Sequence, residues 1–241
     1  MERAILMASG LGSRMRPLTE KTPKPLIPVG KKPMIETVIE GLLLRGVQEI
    51  AVVVGYLGEQ FQPLAQKYPA VRIVENPYYA TVNNISSVYV ARELLKAGDC
   101  FVCEADLFVA DPTIFTAQLE HSCYFGRFTP GRSEDWVFER DARGFITRVG
   151  KGGKDLYNMV GIAYLKAQEG KILAEAIARR FEGGGAEQLF WDDVVNENLS
   201  ALNLLVHPVQ EGSLVEIDTP EELFAAEARL MRGELKYRKE L

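Results

Sequence analysis

Short apolar runs alternate with amphipathic segments along the first part of the chain. Four runs are apolar at nearly every position, as expected of strands buried on both faces: Arg3–Ala8, Glu49–Val54, Val71–Glu75 and Cys100–Glu104. Between them, helical spacing of apolar residues covers residues 33–45, 59–68 and 84–96, and Gly46 and Gly98 follow two of these segments, as glycine does at helix ends. The alternation predicts a parallel sheet with helices on both faces, whose ligands bind at the carboxyl edge of the strands.

The second part of the chain has a different pattern. Shorter apolar runs predict an antiparallel or mixed extension of the sheet, with strands at residues 123–128, 136–139, 145–149 and 158–165. A helix at 172–181, glycines at 183–185, a short helix from about Phe190 and strands at 202–207 and 214–217 follow. Thr219, Pro220 and Glu222 form a strong start signal for the last helix.

These elements predict one domain of the α/β class. The predicted fold is Rossmann-like, with a mixed, mainly parallel sheet flanked by helices and a small appended lobe. Residues 1–120 are expected to form one half, residues 121–218 the second half and residues 219–241 a C-terminal helix.

Composition narrows the function classes. The formal net charge of −5 over 241 residues disfavours a nucleic-acid binder. With neither an apolar stretch of about 20 residues nor a signal-peptide pattern, the expectation is a cytoplasmic protein without membrane insertion. Three cysteines are an odd number, which argues against a disulfide framework. The C-x-x-C of Cys100 and Cys103 lies in a predicted strand, and His121 with Cys123 supplies too few ligands for a structural zinc site.

A glycine-rich loop follows the first predicted strand. Gly10 and Gly12 allow backbone N–H groups to approach an anion closely, which is typical of phosphate binding. A dinucleotide fingerprint needs a third glycine where the chain has Met15, and a P-loop needs a G-K-[ST] sequence that the chain lacks. A surface loop rich in turn residues is the remaining simple alternative, but it gives no reason for Arg14 and Lys24 at these positions.

The order G-L-G-S-R at residues 10–14, followed by P-K at residues 23–24, resembles the signature of nucleotidyltransferases that activate sugar phosphates and choline phosphate with an NTP. The resemblance implies the nucleotide-diphospho-sugar transferase type of fold. Nucleotidyl transfer must hold two polyanions together and stabilise the leaving pyrophosphate. We therefore expect Arg14 to grip the departing phosphates and Lys24 to place its charge between the acceptor phosphate and the α-phosphate. The triphosphate would lie on the backbone of Ala8, Ser9, Gly10 and Gly12.

Two aspartates end predicted strands and are candidates for Mg²⁺ ligands, because Mg²⁺ prefers carboxylates. They are Asp106 and Asp218, and the resemblance implies that carboxylates at these places bind the catalytic metal. Asp106 would also contact the nucleotide through the metal. Glu104 and Glu216 each lie two residues earlier and would share the face of the aspartate. For Asp218 alone, a helix or turn cap is the alternative.

The segment N-N-I-S-S-V-Y at residues 83–89 resembles bacterial CTP:phosphocholine cytidylyltransferases, as do residues 55–61, 134–136, 190–195 and 216–218. The resemblance implies CTP as donor. An amide side chain can read the cytosine amine and carbonyl together, but the residues alone leave UTP open. Helix capping is the alternative role for one of the asparagines. The expected nucleotide contacts are Gly55, Tyr56, Asn83, Asn84 and Ser86.

Phosphocholine carries a quaternary ammonium, which has no N–H and is best held by aromatic faces and a carboxylate. The two tryptophans lie beside acidic residues, so Trp136, Trp191 and Asp192 are the expected cation cage, completed by Tyr164 or Phe190. Core packing is the alternative role for the tryptophans.

The predicted reaction is a Mg²⁺-dependent in-line transfer of CMP from CTP to phosphocholine, without a covalent intermediate. The alternatives are the same chemistry on 2-aminoethylphosphonate, phosphoethanolamine or a sugar 1-phosphate. A non-catalytic nucleotide-binding regulator is the alternative from another class, and the four charged residues Arg14, Lys24, Asp106 and Asp218 argue against it. The sequence is compatible with a monomer.

Overall fold

The structure is a computed structural model and describes residues 1–237. Its strands are β1 (Arg3–Ala8), β2 (Pro28–Val29), β3 (Lys32–Pro33), β4 (Glu49–Val54), β5 (Val71–Glu75), β6 (Cys100–Glu104), β7 (Leu107–Val109), β8 (Cys123–Arg140), β9 (Ile146–Leu165), β10 (Leu205–Pro208) and β11 (Leu214–Glu216). Its helices are α1 (Met34–Arg45), α2 (Gln62–Lys67), α3 (Ile85–Ala91), α4 (Glu93–Ala97), α5 (Ala167–Glu182), α6 (Trp191–Glu197) and α7 (Pro220–Met231).

The main sheet has the strand order β10-β8-β9-β6-β1-β4-β5. Strand β1 pairs in parallel with β4 and β6, and β4 pairs in parallel with β5. Strand β9 runs antiparallel to both β6 and β8, so the second part of the chain extends the parallel half as a mixed sheet. The mainly parallel α/β fold predicted from the apolar pattern is confirmed.

Alternation along the strands builds a core on each face of the sheet. In β1, Ala4, Leu6 and Ala8 pack into the core under α1 and α2, whereas Ile5 and Met7 pack into the core under α3–α6. Burial on both faces is why these strands are apolar at nearly every position. Because the layers on both sides are filled, ligands are left with the open edge at the strand carboxyl ends.

Two regions differ from the predicted elements. The helix expected over residues 84–96 is two helices, α3 and α4, which meet at Arg92. The four short strands expected over residues 123–165 are the two long strands β8 and β9. Register shifts along β8 bend it, so that Val137 and Phe138 pair with two separate stretches of β9. We call residues 129–158, which include this bend, the β-arm.

The C-terminal helix begins as expected. The Thr219 side chain accepts a hydrogen bond from the Glu222 N–H, and the Glu222 side chain bonds back to the backbone of Thr219. The helix ends at Met231, and residues 238–241 of the predicted C-terminal segment lie outside the described residues. Within residues 1–237, no helix is long and apolar enough to cross a membrane.

Candidate active site

A cleft of about 380 Å³ opens at the carboxyl edge of the parallel strands. It joins a second depression of about 310 Å³, and the two share Gly10, Gly12, Asn83 and Asp106. The sequence-predicted residues that line one or both are Ala8, Ser9, Gly10, Gly12, Arg14, Lys24, Asn83, Asn84, Asp106 and Asp218. The structure thus brings together most of the residues predicted for the donor nucleotide, from five separate parts of the chain.

Gly12 fixes the shape of the glycine loop. Its φ of 60° is left-handed, and an added Cβ would lie 2.9 Å from the Thr19 side chain. The Thr19 hydroxyl donates to the Gly12 carbonyl at 2.8 Å. Met15, at the place of the missing third glycine, is fully buried in a third apolar cluster with Phe108 and Leu223. The loop is therefore anchored from below while its glycines stay open to the cleft.

Lys24 is the centre of the charged groups in the cleft. Its ammonium donates to Asp106 Oδ2 at 2.6 Å and also to Asp218 Oδ1. Burial alone would lower the pKa of Lys24, but the two carboxylates, Asp106 first, raise it above its ordinary value. The ammonium therefore stays charged in a residue that is only 8% exposed.

A small antiparallel ladder of β7 and β11 explains why two aspartates so distant in sequence converge. Leu107 pairs with Glu216, and the Ile217 N–H donates to the Asp106 carbonyl at 3.3 Å. Asp106 and Asp218 therefore flank the ladder. Arg14 reaches the same place from the glycine loop and donates to Asp218 Oδ1 at 2.8 Å.

Asp218 lies directly before helix α7 but does not cap it. The cap is Thr219, and the Glu222 carboxylate accepts from the backbone N–H groups of both Asp218, at 2.7 Å, and Thr219, at 3.0 Å. The carboxylate of Asp218 is thereby left to the two cations of the cleft. Asp218 is therefore not a helix cap.

Glu104 lies deeper along the cleft. Burial and the nearby carboxylates of Glu216, Asp106 and Asp192 raise the pKa of Glu104 well above its ordinary value. Gly161 makes room for it, since a Cβ there would lie 2.6 Å from Glu104 Oε2. Glu104 thus links the donor cleft to a small inner pocket bounded by Tyr124, Trp191 and Asp192.

A buried polar network supports the glycine loop from beneath. The Asn76 amide donates to Ser86 Oγ at 2.9 Å and to Ser9 Oγ at 3.2 Å, and Ser9 and Ser87 hydroxyls are 2.8 Å apart. Ser86 is 1% exposed and donates to the Asn83 carbonyl, so it supports the site instead of contacting the base as predicted. Sequence reasoning missed Asn76, although a polar residue directly after β5 lies at the ligand-binding edge.

Asn83 and Asn84 line the cleft, and both are also used structurally. Asn83 Oδ1 accepts from the Asn84 N–H at 2.8 Å, and Asn84 Oδ1 accepts from the Trp191 N–H at 2.9 Å. The second bond ties the start of α3 to the start of α6, which lies 107 residues later. Asn84 is the N-cap residue of α3 but makes no side-chain capping bond there, so the two asparagines combine cleft lining with these two bonds to backbone N–H groups.

Gly55 and Tyr56 lie beside the cleft. Gly55 packs against the Tyr79 ring, and it is Tyr79 that lines the depression. The Tyr56 hydroxyl donates to the Thr19 carbonyl at 2.9 Å. The structure therefore places this pair as support for the residues that line the cleft, one layer away from the direct contacts predicted for them.

The predicted cation cage is divided between two places. Trp191 is 3% exposed and stacks on Tyr124 with ring centroids 5.7 Å apart. Asp192 is also 3% exposed and accepts from the Tyr124 hydroxyl at 2.9 Å. Burial raises the pKa of Asp192 to about 7, against the lowering effect of that hydrogen bond. Trp191 and Asp192 border the inner pocket from within the core.

Trp136 is half-buried on the β-arm and meets Phe190 edge to face at 5.5 Å. The Lys151 ammonium lies 5.9 Å from the Trp136 centroid and 5.8 Å from the Phe190 centroid. Of the two residues suggested to complete the cage, Phe190 lies in this region. Tyr164 does not, because its hydroxyl bonds to Glu2 and Asp99 near the amino ends of the strands.

Comparisons with known proteins agree with this geometry. Residues 3–122 match the family model described as nucleotidyl transferase. The chain is 52% identical to the 2-aminoethylphosphonate cytidylyltransferase of Lancefieldella rimae, over 92% of this chain and 90% of that protein. It is 34% identical to the choline-phosphate cytidylyltransferase of Streptococcus pneumoniae, over 91% of this chain and 94% of that protein. The solved structure of CTP:phosphocholine cytidylyltransferase from Streptococcus pneumoniae superposes with a TM-score of 0.88 at 33% identity, covering 95% of this chain and 99% of that one.

Proposed function

Since the chain belongs to the nucleotidyltransferase family and has cytidylyltransferase activity, we propose that it transfers CMP from CTP to 2-aminoethylphosphonate and releases pyrophosphate. The observation that carries the acceptor is the carboxyl group of Glu104, which lines the depression of about 310 Å³ and has the buried carboxyl group of Asp192 behind it at the inner pocket. A primary ammonium has three N–H donors for these carboxyl oxygens, and its positive charge favours the ionised form of a carboxyl group beside it. The relative from Lancefieldella rimae, whose name gives this acceptor, supports the same choice.

The cations of the cleft are placed to assist an in-line displacement. An oxygen of the acceptor phosphonate attacks the α-phosphorus of CTP, the bond to the bridging oxygen of the β-phosphate breaks, and pyrophosphate leaves. A phosphonate dianion is already a nucleophile, so the step requires no general base. Lys24 holds the acceptor and α-phosphate oxygens together, and Arg14 at the mouth binds the leaving phosphates.

The aspartates fit a divalent cation. Asp106 Oδ1 is buried and has no hydrogen-bond partner within residues 1–237, and Asp106 and Asp218 already converge on one cation, the Lys24 ammonium. No group of three or more His, Cys, Asp or Glu in that range is arranged to hold a metal, so the protein would supply two carboxylates. This agrees with Mg²⁺, which keeps several waters and is bound through one or two carboxylates and substrate phosphates. Bound Mg²⁺ would neutralise phosphate charge during transfer.

Pyrophosphate release tests the proposal when CTP is paired in turn with 2-aminoethylphosphonate, phosphoethanolamine, phosphocholine and glucose 1-phosphate. We expect the highest kcat/KM with 2-aminoethylphosphonate. Phosphorus NMR of the product should show a phosphonate joined to a phosphate. Turnover with glucose 1-phosphate alone, or nucleotide binding without turnover of any pair, would overturn the proposal.

Phosphocholine is the second candidate acceptor. Trp136 and Phe190 form an aromatic pair that already holds one ammonium, which is the chemistry that a quaternary ammonium requires. The solved choline-phosphate relative supports it at lower identity. Preference for phosphocholine in the assay above would select this candidate.

A further inference from the structure

The aromatic pair of Trp136 and Phe190 binds a cation from the chain itself. Lys151 stands directly opposite Trp136 in the β8–β9 ladder, so strand pairing sets its place beside the rings. Its ammonium is nearly equidistant from both ring centroids, at 5.9 Å and 5.8 Å, which is within the range of a cation–π interaction. Among residues 1–237, Lys151 has no salt bridge with a carboxylate, so the rings are the groups that hold its charge.

The aromatic pair belongs to the acceptor end of the site. Phe190 directly precedes Trp191 and Asp192, which border the inner pocket. Trp136 and Met159 both pack against the same apolar core, and Met159 lines that pocket. Through Phe190, the aromatic pair therefore adjoins the start of α6, whose first two residues border the inner pocket.

The two candidate acceptors depend on these rings to different degrees. A trimethylammonium has no N–H and must use aromatic faces, so it competes with the Lys151 ammonium for the same rings and is repelled by its charge. A primary ammonium can donate to Glu104 and Asp192 instead. Lys151 therefore opposes one class of acceptor more than the other.

We propose that Lys151 determines acceptor selectivity by occupying the aromatic faces of Trp136 and Phe190, which excludes quaternary ammonium acceptors in favour of primary amines. The proposal rests on the proposed function and assigns a role to a residue that does not touch the transferred phosphate. Lys151 competes with the acceptor from within the chain. A quaternary ammonium must therefore interact with the two rings more strongly than the Lys151 ammonium does in order to displace it.

The test compares kcat/KM for phosphocholine and for 2-aminoethylphosphonate in wild type and in Lys151→Met. Removing the ammonium should raise the ratio of kcat/KM for phosphocholine to that for 2-aminoethylphosphonate about two- to fivefold, the size of one exposed cation–π interaction. Lys151→Arg keeps the cation and should retain the wild-type ratio. Lys154→Met removes an exposed lysine three residues later on the same strand and should leave the ratio unchanged.

A binding measurement separates this inference from the proposed function. Choline is titrated against each protein, and quenching of tryptophan fluorescence reports its binding near Trp136. Tighter choline binding by Lys151→Met than by wild type would support the role of Lys151 even if no acceptor were turned over. An unchanged acceptor ratio together with unchanged choline binding in Lys151→Met would overturn the inference while leaving 2-aminoethylphosphonate turnover intact. A fall in choline binding would overturn it as well.

Discussion

The proposed donor and acceptor ends of the site each have a lysine held by specific partners, yet the two ends are built differently. At the donor end, Lys24 is 8% exposed and is bound by two carboxylates, on a loop anchored by Met15 and Thr19. At the acceptor end, Lys151 is exposed on the β-arm and lies against two aromatic rings. The first arrangement suits a step common to every substrate of the family, and the second suits a choice that can differ between relatives.

Lys24→Met should have the largest effect, because it removes the charge that we propose bridges the acceptor and the α-phosphate. We expect kcat to fall about 1000-fold, as for the loss of one preorganised group that stabilises transition-state charge. Pyrophosphate release under saturating CTP measures kcat. The matched control is Lys21→Met, an exposed lysine on the same loop, which should keep wild-type kcat. A fall of less than about tenfold in Lys24→Met would contradict the role assigned to Lys24.

Asn76→Ala tests whether the donor end depends on its buried support. The variant leaves the hydroxyls of Ser9, Ser86 and Ser87 without their shared donor, which should lower the free energy of unfolding by about 1–3 kcal/mol. The loop above should loosen, so that KM for CTP rises about tenfold while the acceptor preference is kept. Urea unfolding and steady-state kinetics measure the two effects.

Asn203→Ala removes an exposed asparagine far from the donor cleft and serves as the control. Asn203→Ala should change neither the free energy of unfolding nor the KM for CTP. If Asn76→Ala lost stability but kept the wild-type KM for CTP, the network would serve folding alone.

The smallest expected effect concerns the acceptor end. Folding raises the pKa of Asp192 from an ordinary 3.8 to about 7, so the folded protein favours the protonated carboxyl. The corresponding stability is complete below about pH 4 and is lost as pH rises through 7. Relative to Asp192→Asn, the wild-type free energy of unfolding should fall by about 1 kcal/mol between pH 6 and pH 8. Urea unfolding at both pH values measures it, and parallel pH profiles of the two proteins would argue against a buried, protonated Asp192.

The difference between the proposed donor and acceptor ends also explains which features could be predicted from the sequence. The four parallel strands have the predicted bounds, because burial on both faces leaves an uninterrupted apolar run. The donor residues are nearly contiguous, from Ala8 to Lys24, so their spacing carries the chemistry. Asp106 and Asp218 were expected to meet because each was predicted to end a strand at the same edge. In the structure each lies two residues beyond its strand, and Asp218 follows β11, which pairs with β7 in a separate ladder that was not foreseen.

Side-chain direction at the acceptor end could not be predicted in this way. Trp191 and Trp136 both stand beside acidic residues in sequence, but one points into the core against Tyr124 and the other lies half-buried on the β-arm. The bends of β8 depend on bulges that have no clear local signal. Lys151 reaches Trp136 only through cross-strand register, which is a property of the folded arrangement.

The capping box of α7 connects the last helix to Asp218, which we propose as a metal ligand. The Glu222 carboxylate holds the backbone of Asp218 with the same oxygen that starts the helix, so the orientation of the helix sets where that aspartate stands. A truncation or a fusion joint placed before residue 220 would therefore impair catalysis even where the sheet still folds. A shortened version of this enzyme would therefore have to keep the C-terminal helix, because the helix holds Asp218 in position.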